Sequence, residues 1–290
     1  MKLVRYGKPG DEKPGVIDAN GKLRDCSDIV PDHVWHYLGP KYRKQIAKAL
    51  KKGELKAVGG RPRIGAPIAQ PGNFIGVGLN YADHAAEARM PVPTEPILFN
   101  KAPNCISGPY DDLILPRGAA KTDWEVELAI VIGVEAENVS KEDALDHVAG
   151  LCLANDVSER AWQIERGGNW MKGKSAPTFG PLGPWLVTLD EIADPQNLAL
   201  WLDVNGERMQ NGNTKTMIFD VKTLVSYISQ FMTLEPGDVI VTGTPPGVGM
   251  AQQPPRFLQD GDTVRLGGEG LGEQAYRVVA TKARAAKARA

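Results

Sequence analysis

The run Asp123-Trp-Glu-Val-Glu-Leu-Ala-Ile-Val-Ile-Gly133 reads as a strand, with two glutamates set in an otherwise apolar stretch. Acidic side chains are almost never buried without compensation. Glu125 and Glu127 are two residues apart, so on a strand they point to one face, about 7 Å apart along it. A second apolar run, Leu151-Cys-Leu-Ala-Asn-Asp156, ends in a third carboxylate. Anions aimed at one spot repel, and a cation is the simplest remedy. All-oxygen ligands select a hard ion, here Mg²⁺, with Mn²⁺ or Ca²⁺ as alternatives. Glu-x-Glu alone is more often the solvated face of an edge strand. Asp156 is what turns the reading toward a metal site.

Around this pair of runs the chain is mostly short strands, placed at 73–78, 127–134, 150–154, 185–188, 199–204, 239–242 and 263–266, punctuated by Gly, Pro and Asn. Helical periods are few: 83–89, 141–147, 158–165 and 221–232. Asn20-Gly21 and Asn205-Gly206 are two-residue hairpin signals. A helix is expected over 32–51, and Gly59-Gly-Arg-Pro-Arg-Ile-Gly-Ala-Pro67 is punctuated like a connector. These signals predict an α+β, mainly β architecture. It divides into a small N-terminal α/β domain over 1–66, a catalytic domain over 67–281 and a basic tail over 282–290 that frays in solvent.

Bulk properties narrow the function classes. A chain of 290 residues can bury about three quarters of its unfolded surface without staples. Lys+Arg is 34 against Asp+Glu 35, so no net field attracts nucleic acid or an anionic membrane. Cys26, Cys105 and Cys152 have no CxxC spacing, which argues for a reducing compartment and against zinc or a disulfide framework. No run approaches a membrane span, and the opening Met-Lys-Leu-Val-Arg lacks a signal peptide's apolar core. The expectation is a cytoplasmic protein acting on a small molecule.

Several segments could carry chemistry. His84 and Glu87 are three apart on a helix start that Asp83 or Asn80 can cap, so the carboxylate can orient the imidazole as a base. His33, His36 and His147 lie in charged, amphipathic surroundings, which leaves His84 as the best candidate for a catalytic imidazole. Gly168-Asn-Trp-Met-Lys-Gly-Lys-Ser175 matches the phosphate-loop pattern letter for letter. It lacks the preceding strand and the following helix that hold a nucleotide, so no nucleotide is expected. Lys174 remains as a cation on a Gly-rich loop. Arg160 and Gln163 share a helix face after Asp156 and could reach a substrate carboxylate. Thr244, in Thr242-Gly-Thr-Pro-Pro-Gly-Val-Gly249, could face an anionic ligand from a tight loop.

Together these segments resemble the fumarylacetoacetate hydrolase family. The resemblance is carried by GLNYADHAAE (78–87), EPILFNKAP (95–103), DWEVELAIVIG (123–133), NDVSERAWQ (155–163), GKS with GPLGPW (173–185), VNGERMQNGNT (204–214), PGDVIVTGTPPGVG (236–249) and FLQDGDTVRLGGEGLG (257–272). The C-terminal half is most similar to members known as 2,4-diketo-3-deoxy-sugar-acid hydrolases or ureidoglycolate lyases. The resemblance implies a mixed β-sandwich roll, a homodimer and one divalent ion. It places the metal on Glu125, Glu127 and Asp156, and the catalytic dyad His84–Glu87 on a mobile lid. Lys174 takes the active-site lysine's place, and Arg160, Gln163 and Thr244 take substrate-binding places. The implied reaction is hydrolysis of a C–C bond in a 2,4-dioxo acid through a stabilised enolate. Decarboxylation or isomerisation of a 2-oxo diacid, ureidoglycolate lysis and simple oxo-acid binding are the alternatives. The chain departs from the family at Ala176-Pro177, where an aromatic residue and an Asp are usual. It departs again at Gly268, where a β-branched residue is usual and its loss is expected to weaken the strand.

Overall fold

The computed structural model describes residues 1–281, so the tail expected at 282–290 lies outside the described residues. Two sheets organise the chain. The larger has ten strands; along its main path run Leu23–Asp25, Asp11–Ile17, Lys2–Lys8, Leu186–Val187, Val148–Asn155, Val126–Ile132, Val239–Val241, Phe74–Gly78 and Ile97–Lys101. The short Ile64–Gly65 strand pairs with Lys2–Lys8 off this path. The smaller sheet has five strands, in the order Glu207–Asn213, Ala199–Val204, Thr263–Gly268, Gly272–Ala280 and Leu113–Leu115. Helices are short and peripheral, so the architecture is α+β and mainly β, as expected.

Val126–Ile132 and Val148–Asn155 form the centre, with every residue of both strands buried. Cover on both faces is why these segments read as continuous apolar runs instead of alternating ones. They pair antiparallel from Val126↔Asn155 to Ile132↔Val148, with a bulge at Val131/Ile132. The smaller sheet packs on this centre. Gln274 Nε2 donates across to the carbonyls of Leu153 (3.1 Å) and Gly183 (3.0 Å), and Asn155 Nδ2 donates to the Tyr276 hydroxyl at 2.6 Å. At the N-terminus, Lys2↔Val187 and Leu3↔Leu186 join the first three strands to the same large sheet.

Several local expectations shift by a physical cause. The helix expected over 32–51 is a 3-10 turn at Trp35–Leu38 followed by an α-helix at Pro40–Lys52. Pro40 lacks an N–H and suits only a first helical turn, so the α-helix starts there. Helix 158–165 begins at Arg160, where the Glu159 carboxylate caps Ala161 N. Lys141 to Asp143 stay outside the 3-10 turn Ala144–His147, and helix 221–232 stops at Ile228. Asn205 (φ 53°) and Gly206 (φ 81°) make the tight hairpin, whereas Asn20-Gly21 lies in a longer loop. There the Asp18 carboxylate accepts from Asn20 N and Lys22 N, both at 2.9 Å, and widens the connection. Gly268 does not break its strand: it is the strand's last residue, and the side chains of Leu153, Leu200 and Leu271 fill the space a Cβ would need.

Candidate active site

Glu125 precedes the Val126–Ile132 strand and Glu127 is its second residue. Asp156 follows the Val148–Asn155 strand, and its N–H donates to the Glu125 carbonyl at 2.9 Å. The antiparallel register therefore delivers all three acids to one place. One carboxylate oxygen from each lies within 4.8 Å of the other two, and all three residues are buried. Asn155 steadies the arrangement by accepting from Glu125 N at 2.9 Å.

Three buried cations surround the acids. Lys174 Nζ donates to Glu125 Oε2 (2.6 Å) and Asp156 Oδ2 (2.5 Å). Arg160 donates to Glu125 Oε1 (2.6 Å), Asp123 Oδ2 (2.9 Å) and Gln163 Oε1 (3.1 Å). That leaves Gln163 its amide NH₂ for a ligand. The third cation, Lys101, escaped sequence reasoning. Its Nζ donates to Asp156 Oδ1 (2.6 Å) and to the Lys174 carbonyl (2.5 Å), and it is only 1% exposed. Asp123 was also passed over, although it adjoins the decisive run. Its two oxygens accept from Gly249 N (2.6 Å) and Met250 N (3.0 Å), which pins the far loop to the site.

Four buried carboxylates, Asp123, Glu125, Glu127 and Asp156, thus face three buried cations, and one negative charge is left over. Burial alone would raise the Glu125 carboxyl, but Arg160 and Lys174 overcome it and hold Glu125 well below the usual carboxylate range. Glu127 goes the other way: burial, then Asp156 and Glu125, push its carboxyl well above the ordinary value. Glu127 is the under-compensated acid. Among the described residues its one hydrogen-bond donor is the backbone N–H of Gly243 at 2.7 Å, aimed by a φ of +91° that favours glycine. An all-oxygen donor set with surplus negative charge fits a hard divalent ion.

His84 and Glu87 lie on the Ala82–Glu87 helix, with His84 Nδ1 and Glu87 Oε2 2.8 Å apart. Glu87 Oε1 accepts from Gly247 N at 2.9 Å, which couples the dyad to the loop after Val239–Val241. The helix start is not capped as expected. Tyr81 holds the N-cap position with no side-chain cap, and Asn80 is buried. Asn80 instead donates to the carbonyls of Phe219 and Thr242 and accepts from Phe219 N, so it ties the helix base to two other segments.

One cavity of about 600 Å³ contains Glu125, Glu127, Asp156, His84, Glu87, Lys174, Arg160, Gln163 and Thr244 in its wall, so all nine residues singled out in the sequence come together. Thr244 differs in detail from expectation. Its hydroxyl donates to Val126 O (2.9 Å) and accepts from Gln210 Nε2 (2.7 Å), so the loop itself occupies that group. His33, for all the charge around it in the chain, is fully buried with Nε2 2.9 Å from Gly15 O. The phosphate-loop match has a packing cause. Gly173 lies in the short helix Met171–Lys174, and a Cβ there would meet Glu159 O and Gln163 Cβ, both at 2.6 Å.

An all-oxygen triad beside an imidazole–carboxylate pair in one cleft is the layout of a metal-assisted general-base site. Comparison with known proteins gives the lineage. Residues 73–279 match the family described as fumarylacetoacetate (FAA) hydrolase, C-terminal. A relative from Burkholderia multivorans, whose name goes no further than hydrolase, is 59% identical over 275 residues, 94% of this chain and 97% of its own. The structure of a fumarylacetoacetate hydrolase from Exiguobacterium antarcticum is 37% identical with a TM-score of 0.84, covering 97% of this chain and 100% of that one. A maleylpyruvate hydrolase from Sphingobium sp. SYK-6, in complex with manganese(II) and pyruvate, is 28% identical with a TM-score of 0.80 over 97% and 100% of the two chains. The chain belongs to the fumarylacetoacetate hydrolase family.

Proposed function

We propose that the protein is a divalent-metal hydrolase that cleaves the C–C bond of a 2,4-dioxo acid, an acylpyruvate, with Mg²⁺ or Mn²⁺ on Glu125, Glu127 and Asp156. The observation that carries this reading is the shared cavity: the acidic triad and the His84–Glu87 pair line one wall-to-wall space. The structural relative with manganese and pyruvate bound supports the same head-group chemistry. When bound, the ion supplies Lewis-acid polarisation of the oxo oxygen and a sink for developing negative charge.

The protein's own groups do the rest. Glu87 holds the N–H of His84 Nδ1, which leaves Nε2 as the proton acceptor. His84 takes a proton from water as the oxygen attacks the carbonyl at C4. The adduct collapses, the C3–C4 bond breaks, and its electrons leave as the enolate of pyruvate. The proton held by His84 then returns to that enolate carbon. One acylpyruvate and one water thus yield one carboxylic acid and pyruvate. The Lys174 ammonium stands within the anionic cluster to offset the charge as it develops. Gln163 NH₂ and the remaining Arg160 N–H orient the substrate carboxylate.

The three cysteines are free and buried, which supports a cytoplasmic setting, and the family suggests a homodimer that sedimentation can test. Among the described residues no helix is long and apolar enough to cross a membrane. The functional test is a panel of acylpyruvates, 2,4-dioxo sugar acids, oxaloacetate and ureidoglycolate, assayed with Mg²⁺ or Mn²⁺ and with chelator. Pyruvate release from acylpyruvates, abolished by chelation, is the expected result. Turnover confined to oxaloacetate or ureidoglycolate, or turnover that survives complete metal removal, would overturn it.

A further inference from the structure

We infer that Phe99 is a positioning residue whose ring face holds the Lys174 ammonium where the enolate charge develops. This rests on the acylpyruvate reading above and concerns what keeps its charged group in place. Lys174 is 2% exposed, and two of its ammonium's N–H groups go to Glu125 Oε2 (2.6 Å) and Asp156 Oδ2 (2.5 Å). Among the described residues no other oxygen accepts from it. Nζ also lies over the face of the Phe99 ring, 4.9 Å from its centroid. The negative face of an aromatic ring attracts a cation within about 6 Å, most strongly where water is excluded.

The ring's seat is built by the backbone around it. Phe99 lies directly across from Gly76 where Phe74–Gly78 pairs with Ile97–Lys101, and a Cβ at Gly76 would come within 2.2 Å of Phe99 Cζ. A Cβ at Gly78 would come within 2.7 Å of Trp170 Cζ3. The Phe99 and Trp170 rings meet with centroids 5.3 Å apart and planes at 59°. Gly76-Val77-Gly78 therefore leaves a bay that two rings fill, the close approach that a glycine inside a strand permits. Trp170 precedes the short helix Met171–Lys174, and its carbonyl accepts from Lys174 N at 3.1 Å. Phe99 is thus gripped from both ends of one helical turn, by an indole at its start and an ammonium at its finish. Lys101 repeats the pattern on the same strand pair, with Nζ 5.7 Å from the Phe74 centroid. Glu125 and Asp156 also belong to the acidic triad, so a bound dication draws on the same carboxylates that hold Lys174. A phenyl ring offers a hard ion no oxygen, so its hold on the ammonium is the one that ion binding leaves intact.

The test replaces Phe99 by mono-, di- and trifluorinated phenylalanine, which keep the ring's shape and drain its negative face stepwise. On an acylpyruvate, kcat and kcat/KM should fall together to about a tenth at the trifluorinated ring, with KM held within about twofold. Phe99→Leu should lose at least as much, and Phe99→Tyr, which restores a ring face, should recover most of it. A rate flat across the fluorinated series, or a loss confined to KM, overturns the assignment while leaving acylpyruvate hydrolysis standing. A second arm needs no turnover. In chelator, the same series should lower the unfolding midpoint stepwise in the wild-type background and leave it flat in Lys174→Met. Parallel shifts in both backgrounds overturn the ring–ammonium contact; should Lys174→Met not fold, the kinetic series decides. Turnover of no acylpyruvate by the wild-type protein overturns the hydrolase reading and the enolate role with it, and the unfolding arm then decides the contact separately.

Discussion

Replacing Lys101 by Met tests whether the site's architecture depends on a residue that never meets the substrate. Methionine keeps most of the stem's bulk and removes the ammonium. Asp156 Oδ1 then loses a 2.6 Å donor and the Lys174 carbonyl a 2.5 Å donor, both fully buried. Removing one partner of a buried ion pair costs about 3–5 kcal/mol, because the other charge stays behind unpaired. For a chain of this length that corresponds to a fall in melting temperature of about 10 °C. The measurement is thermal and denaturant unfolding in chelator, so that no ion repairs the damage. Lys101→Met is to be combined with Asp156→Asn in a double-mutant cycle. Once both charges are gone neither leaves its partner behind unpaired, and the double variant should be more stable than the sum of the singles by about 1–3 kcal/mol. A single variant that costs under about 1 kcal/mol, or a cycle that is additive, would refute the reasoning.

Other outcomes follow from the same geometry. His84→Ala should lower kcat by about 10²–10⁴ while the thermal stabilisation by Mn²⁺ persists; loss of the metal response would mean His84 is structural. Glu127 has its carboxyl raised by burial, Asp156 and Glu125, so the folded protein holds that proton more tightly than the unfolded chain does. Stability should therefore fall as pH rises above the unfolded glutamate value. Glu127→Gln should then melt higher than wild type in chelator at neutral pH and gain nothing from Mn²⁺. A variant that melts lower, or still responds to the ion, contradicts the assignment.

The acidic triad was legible because three carboxylates interrupt runs that otherwise have no reason to be polar, and because a strand's two-residue period puts Glu125 and Glu127 on one face. The His84–Glu87 pair was legible from helix spacing. Lys101 was not, for the opposite reason. Ile97-Leu-Phe-Asn-Lys101 reads as a half-exposed strand ending in an ordinary surface lysine, and burial comes only when the strand docks beside Phe74–Gly78. Asp123 was hidden by its neighbours' charge, since nothing in its own surroundings distinguishes it from a strand-end acid. His33 shows how local context misleads: Asp32 is its chain neighbour, yet its ring turns inward to the Gly15 carbonyl. Thr244 kept its place in the wall, but its hydroxyl is occupied by Val126 and Gln210, groups far away in sequence.

The parallel pairing of Phe74–Gly78 with Val239–Val241 has a consequence for how the protein is made. Asn73 and Asp238, hydrogen-bonded at 2.7 Å beside that pairing, are 165 residues apart. A nascent chain emerging from the ribosome carries the triad, the dyad and both lysines long before the segment that bridges them is synthesised. Glu127 and Glu87 wait for Gly243 and Gly247, which close the gap only when the C-terminal quarter arrives. Such long-range closure is slow, and until it happens the anionic cluster is open to water. Premature termination near residue 235 should therefore leave most of the chain, triad and dyad included, without the contacts that assemble the site.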